Sequence, residues 1–90
     1  CEESPESFLI IAERGQVTKG EGNETLNLRS GPGTEYRIIE KIEQLETFFV
    51  LEGPQCNGGY TWFQINYNGR TGWIAEGNAD LYFAEPYLTG

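Results

Sequence analysis

The chain has 90 residues, with 14 acidic side chains, 6 basic ones, no histidine and a formal net charge of −8. A chain of this size folds as one small domain that buries only about 60–65% of its unfolded surface. Its acidic surface repels phosphate, which disfavours nucleic acid and anionic membranes as partners and leaves cationic, amine-bearing and neutral ligands.

Twelve glycines and four prolines among many Thr, Tyr, Phe, Val and Ile residues favour short strands joined by turns. Residues 1–7 are polar and without periodicity, so they read as an N-terminal arm leading into a single domain over 8–88. Phe8 to Ala12 is a short apolar run expected to be the first strand, and Gln16-Val17-Thr18 is a second candidate. Asn23-Glu24-Thr25 has the form of a glycosylation sequon but reads as a polar turn.

Leu26-Asn27-Leu28-Arg29 alternates as a strand does, leucines on one face and polar residues on the other. It runs into Ser30-Gly31-Pro32-Gly33, a rigid turn. Further strands are expected over Tyr36 to Ile42 and Thr47 to Glu52, the latter ended by Gly53-Pro54. Asn57-Gly58-Gly59 is a turn, residues 60–67 form a strand, and Asn68-Gly69 is a hairpin signal that folds Arg70 to Ala75 back. The tail carries Tyr82, Phe83 and Tyr87 and is apolar enough to dock. Short strands at this spacing predict an all-β barrel or sandwich.

Strand parity sorts the aromatic residues. Phe63, Ile65 and Tyr67 share the core face, which leaves Trp62 with Gln64 and Asn66 on the other. A large ring exposed there must cover something or bind something. Ile74 is assigned to the core and Trp73 to a half-exposed position. Tyr36 and Tyr60 flank the same end and complete a candidate aromatic groove, bordered by Glu35 and Arg37.

Tests for chemistry are negative. Without histidine, acid–base work would fall to carboxylates, and no pair is patterned for it. Glu76, Asn78 and Asp80 fit no calcium loop and read as a solvated turn. Neither a metal site nor a cofactor site is expected, and the chain reads as a non-enzyme. Cys1 and Cys56 suit no zinc pattern. Three readings stand for Cys1: a disulfide with Cys56, the lipid-bearing first residue of a processed lipoprotein, or an end set by where the chain was cut. No stretch reaches the roughly 18 apolar residues that cross a bilayer, and no basic-then-apolar leader is present, so a cytosolic or already processed chain is expected.

Several segments together resemble bacterial SH3-like (SH3b) domains. Leu26-Asn27-Leu28-Arg29-Ser30-Gly31-Pro32-Gly33 resembles the family's "LNVRSGPS", and Tyr36 to Ile42 resembles its next strand. Trp62-Phe63-Gln64-Ile65 resembles "WYKV", and Asn68-Gly69-Arg70-Thr71-Gly72-Trp73-Ile74 resembles "NGKTGWV". Gly53-Pro54-Gln55-Cys56 followed by Gly59-Tyr60-Thr61-Trp62 is similar to extracytoplasmic SH3-like domains of Chloroflexi-type bacteria, which also carry a cysteine before the first strand.

The resemblance implies an SH3-like barrel of five to seven short strands, its N-terminal arm tied by Cys1–Cys56, at an extracytoplasmic location. It also implies a non-catalytic module that holds a peptide or peptidoglycan ligand in a groove of Trp62, Tyr36, Tyr60, Trp73 and Glu35. The alternative is a structural subunit of a larger cell-surface assembly, its aromatic residues buried against a partner protein. No nucleic-acid partner is expected, and membrane attachment only through a lipid on Cys1.

Overall fold

Burial alternates along Arg14–Val17 and Thr25–Arg29, as strands require, and the hairpin turns fall where the backbone turns left-handed. The computed structural model describes residues 7–19, 25–78 and 81–87. Among these it contains β1 (Arg14–Val17), β2 (Thr25–Arg29), β3 (Ile38–Glu43), β4 (Thr47–Asn57), β5 (Tyr60–Tyr67), β6 (Arg70–Gly77) and β7 (Ala84–Pro86). They form one sheet in the order β3-β2-β6-β5-β4-β1-β7. Each paired neighbour runs antiparallel.

The β5–β6 hairpin turns at Asn68 and Gly69, whose φ values of 50° and 83° suit the mirror-image turn that matches strand twist. The β4–β5 hairpin turns the same way at Gly58 and Gly59, with φ of 63° and 83°. Gly53-Pro54 does not end its strand as expected. β4 runs through it to Asn57, and the pairing with β5 slips twice, between Val50 and Glu52 and between Glu52 and Gln55. A bulge is where a strand tolerates a residue that cannot donate to the ladder.

The sheet curls on itself through the segment 81–83. Tyr82 bridges Gly77, the Phe83 amide donates to the Glu76 carbonyl at 2.7 Å, and the Thr18 amide donates to the Phe83 carbonyl at 3.0 Å. The end of β6 is thereby linked to the end of β1. Leu26 and Leu28, Ile42, Phe48 and Val50, Phe63 and Ile65, Ile74 and Ala84 fill the interior, with Leu9 at one end. The leucines of β2 and the Phe63 and Ile65 pair lie where alternation placed them.

Phe8 to Ala12 is not the first strand. The Glu13 amide closes a turn onto the Ile10 carbonyl at 3.1 Å and Ala12 has φ of 68°, which breaks extension. The strand forms instead at Arg14–Val17, between β4 and β7. The next expected strand begins at Ile38 rather than Tyr36, because residues 30–37 form a loop. Residues 1–6 of the arm, including Cys1, lie outside the described residues, as do residues 88 and 80 and most of the sequon.

Candidate ligand-binding cleft

β2 and β6 are neighbours in the sheet, yet among the described residues they share a single paired position, Arg29 with Trp73. On the other side β2 is paired with β3 along its full length. Away from Arg29 the two strands part, and the opening between them is a cleft of about 180 Å³. That volume is below the 300–1,000 Å³ typical of small-molecule pockets, so it suits a side chain or a short stretch of backbone. Asn27 and Arg29 of β2 form one wall, Ala75 of β6 the other, and Thr34 of the 30–37 loop stands at the end.

Tyr60, Trp62 and Phe83 line the cleft too, together with Thr25 and Leu26. Trp62 is on the face away from the core, as parity requires, but it is covered rather than exposed, with 2% of its surface accessible. A chain of rings leads from it. The Tyr60 ring meets it edge-on at 5.9 Å, and Phe83 lies 6.3 Å beyond Tyr60. The indole N–H donates to the Asn57 carbonyl at 3.1 Å, which satisfies the polar edge of the buried ring. Trp62 therefore forms the base of the cleft, and Tyr60 and Phe83 are half-buried above it.

Arg29 anchors the loop at the end of the cleft. Its Nη1 donates to the carbonyls of Thr34 at 3.2 Å and Tyr36 at 2.9 Å. Asn57 holds the loop from the hairpin side, donating to the Pro32 carbonyl at 2.9 Å and to the Glu35 carboxylate at 3.1 Å. The Tyr36 ring lies over Gly31 so closely that a Cβ there would sit 2.5 Å from it. Close approach of β2 to β6 has a similar basis at Gly72, where a Cβ would stand 2.7 Å from the Arg29 carbonyl.

Of the five residues expected at the groove, the structure brings Trp62 and Tyr60 together in the cleft. Tyr36 is exposed on the loop, Glu35 is engaged by Asn57, and Trp73 is half-buried on β6 beside Ile74, which is fully buried. Thr25, Leu26, Asn27, Arg29, Thr34, Ala75 and Phe83 line the cleft without being among the expected groove residues. The polar parity of Asn27 and Arg29 was a usable signal for those two; nothing local marked Phe83.

Glu76 is not part of a solvated turn. It is 1% exposed, its Oε2 accepts the backbone amides of Phe8 and Leu9, and its Oε1 has no hydrogen-bond partner. Ile74 and Glu76 share a parity, so the carboxylate faces inward at the end of the strand. Among the described residues, no three His, Cys, Asp or Glu side chains are grouped to hold a metal ion. No helix among them is long and apolar enough to cross a membrane.

A small, curled antiparallel sheet with a shallow aromatic-floored cleft defines the class: an all-β domain of SH3-like build. The sequence gives the family. Residues 24–80 match the model of the bacterial SH3 domain, and the chain belongs to that family. It is 37% identical over 52 residues, 56% of its length, to serine/threonine-protein kinase D of Synechocystis sp.. It is 31% identical over 78 residues, 78% of its length, to the putative N-acetylmuramoyl-L-alanine amidase YrvJ of Bacillus subtilis. The chain spans only 10% of the first and 14% of the second. No solved structure gives a significant match.

Proposed function

We propose that this domain is a non-catalytic, extracytoplasmic binding module that holds an extended peptide, such as the stem peptide of peptidoglycan, in the cleft between β2 and β6. The observation that carries the reading is the parting of β2 from β6 beside Tyr60, Trp62 and Phe83. Beyond Arg29 the β6-facing edge of β2 lacks a ladder partner among the described residues, so an extended segment entering the cleft meets backbone groups ready to pair and rings on which to pack. Tyr36, Glu35 and Trp73 then form an outer rim. Similarity to a putative cell-wall amidase supports a cell-wall ligand and an extracytoplasmic setting.

The same setting supports a Cys1–Cys56 disulfide, since oxidising compartments favour paired cysteines in small domains. Cys1 itself lies outside the described residues, and the pairing rests on there being two cysteines and on the likeness of the Cys56 hairpin to cysteine-bearing extracytoplasmic domains. Intact mass decides it: a disulfide gains two hydrogens on reduction, whereas a lipidated Cys1 carries a large adduct.

Titrating muropeptides into the isotope-labelled domain tests the ligand. Amide shifts are expected at Asn27, Thr34, Tyr60, Ala75 and Phe83. No shift at millimolar ligand, together with no co-sedimentation with purified peptidoglycan, would remove the reading.

A second reading, an accessory subunit of a cell-surface assembly, draws on a separate patch. Phe8, Ile10 and Ile11 are each more than half exposed, and Phe8 and Ile10 line a mainly apolar surface with Pro86, Tyr87, Gln16 and Glu85. A surface of that kind suits contact with a neighbouring protein.

A further inference from the structure

Resting on the cleft as the peptide site, we infer that Arg29 is its anchor for a carboxylate of the bound peptide. The guanidinium lines the cleft, half-buried, and is held in place by the Thr34 and Tyr36 carbonyls, both of which are met by Nη1. A guanidinium carries five N–H donors, and the two loop carbonyls engage those of Nη1.

Those two carbonyls are neutral. Among the described residues, which include eight of the chain's 14 acidic side chains, none pairs with Arg29; the ion pair among them joins Arg70 to Glu40 at 3.1 Å. A fixed, half-buried cation with no counter-ion among the described residues suits a planar anion that it can grip with two parallel hydrogen bonds. Asn27 and Thr34 stand beside it in the same lining and add polar groups at the point of entry. The occupant is therefore a peptide segment bearing a free carboxylate, its neighbouring apolar atoms packed toward Tyr60 and Phe83.

The overall charge sharpens the test, because it opposes the inference. At a net charge of −8, long-range attraction favours the more cationic of two otherwise identical ligands. A local grip by Arg29 favours the more anionic one. The probe is the pentapeptide L-Ala-γ-D-Glu-L-Lys-D-Ala-D-Ala, compared with the same peptide carrying a carboxamide at every carboxyl position, each titrated into the intact chain by calorimetry or by amide shifts.

Arg29 anchoring predicts that the acid binds about tenfold tighter or more, the scale of a charge-assisted bidentate pair, despite the unfavourable net charge. In Arg29→Gln, checked for native dispersion of amide signals, the preference should shrink to less than about twofold. Equal affinity, or tighter binding of the amide by the unaltered chain, overturns the Arg29 inference and leaves the cleft as a peptide site. Absence of binding by both peptides overturns both. The comparison on the unaltered chain stands even where the variant fails to fold.

Discussion

The carboxylate of Glu76 accepts the backbone amide of Leu9 at 2.9 Å across a separation of 67 residues. The same oxygen accepts the Phe8 amide at 2.8 Å, so one buried side chain fixes the segment entering the barrel and sets Leu9 into the core. Phe8 in turn packs on Tyr82 at 5.4 Å. Replacing Glu76 by Ala leaves both amides without that acceptor and opens a void, at a cost of about 2–4 kcal/mol. Glu76→Gln keeps a carbonyl acceptor in place and should cost about 1 kcal/mol or less. Urea unfolding checks the pair, with faster exchange of the Phe8 and Leu9 amides in the Ala variant only. Equal losses in the two variants would mean that packing volume, rather than the acceptor, matters.

The burial of Glu76 is set by distant chain rather than by its neighbours. Its neighbours Gly77, Asn78 and Asp80 are turn formers, and nothing local announces that segment 81–83 comes back to pair with the end of β6. What short-range pattern determines was legible: the alternation of Leu26 and Leu28, the Asn68-Gly69 hairpin, and the choice of Ile74 over Trp73 for the core. What distant chain determines was not. Trp62 has the parity of an outward residue, yet Tyr60 packs edge-on against it and Phe83, 21 positions on, packs in turn on Tyr60. Phe8 to Ala12 has the composition of a strand, but the Phe8 and Leu9 amides go to a side chain and Ala12 turns left-handed.

Trp62 is expected to contribute to stability as well as to the cleft. Trp62→Ala should cost about 3–5 kcal/mol, the range for removing a buried aromatic side chain. Trp62→Phe retains most of the packing, loses the hydrogen bond to the Asn57 carbonyl and should cost about 1–2 kcal/mol. Thermal or urea denaturation measures both. Only the Phe variant is suited to ligand titration, since the Ala variant confounds binding with folding.

Gly31 allows Tyr36 to lie flat on the backbone, and a methyl group there must push the ring away. Gly31→Ala should cost about 1 kcal/mol, at the low end for overpacking because Tyr36 is partly exposed and can swing outward. Its larger effect should be on the loop. The Tyr36 and Thr34 carbonyls hold Arg29, so amide shifts at 34–37 and at the Arg29 guanidinium are the expected readout. An unshifted Arg29 signal would show that the loop backbone is held independently of the Tyr36 ring.

The proposed Cys1–Cys56 bridge closes a long loop, which in the chain-entropy account adds about 4 kcal/mol to stability. Reduction, or Cys56→Ser, should therefore lower the urea midpoint strongly while leaving the slope of the native baseline unchanged. A midpoint indifferent to reductant would count against the bridge.

Tyr67 adds a pH dependence on the alkaline side. Burial raises its phenol above the ordinary value of 10.0, and the negative charge of Glu46 adds to this, with a hydrogen bond from the Tyr67 hydroxyl to Glu46 Oε1 at 3.3 Å and further repulsion from Glu40 and Glu43. A group that ionises later when folded holds its proton more tightly in the native state. Its stabilising effect is complete below the unfolded value, near pH 10, and is lost as pH rises through the folded value. Stability should thus decline above about pH 10, and Tyr67→Phe should flatten that part of the decline. Glu46→Gln should move the Tyr67 phenolate absorbance to lower pH, because it removes both a nearby negative charge and the charged acceptor. A phenolate transition unmoved by Glu46→Gln would assign the shift to burial with the charges of Glu40 and Glu43.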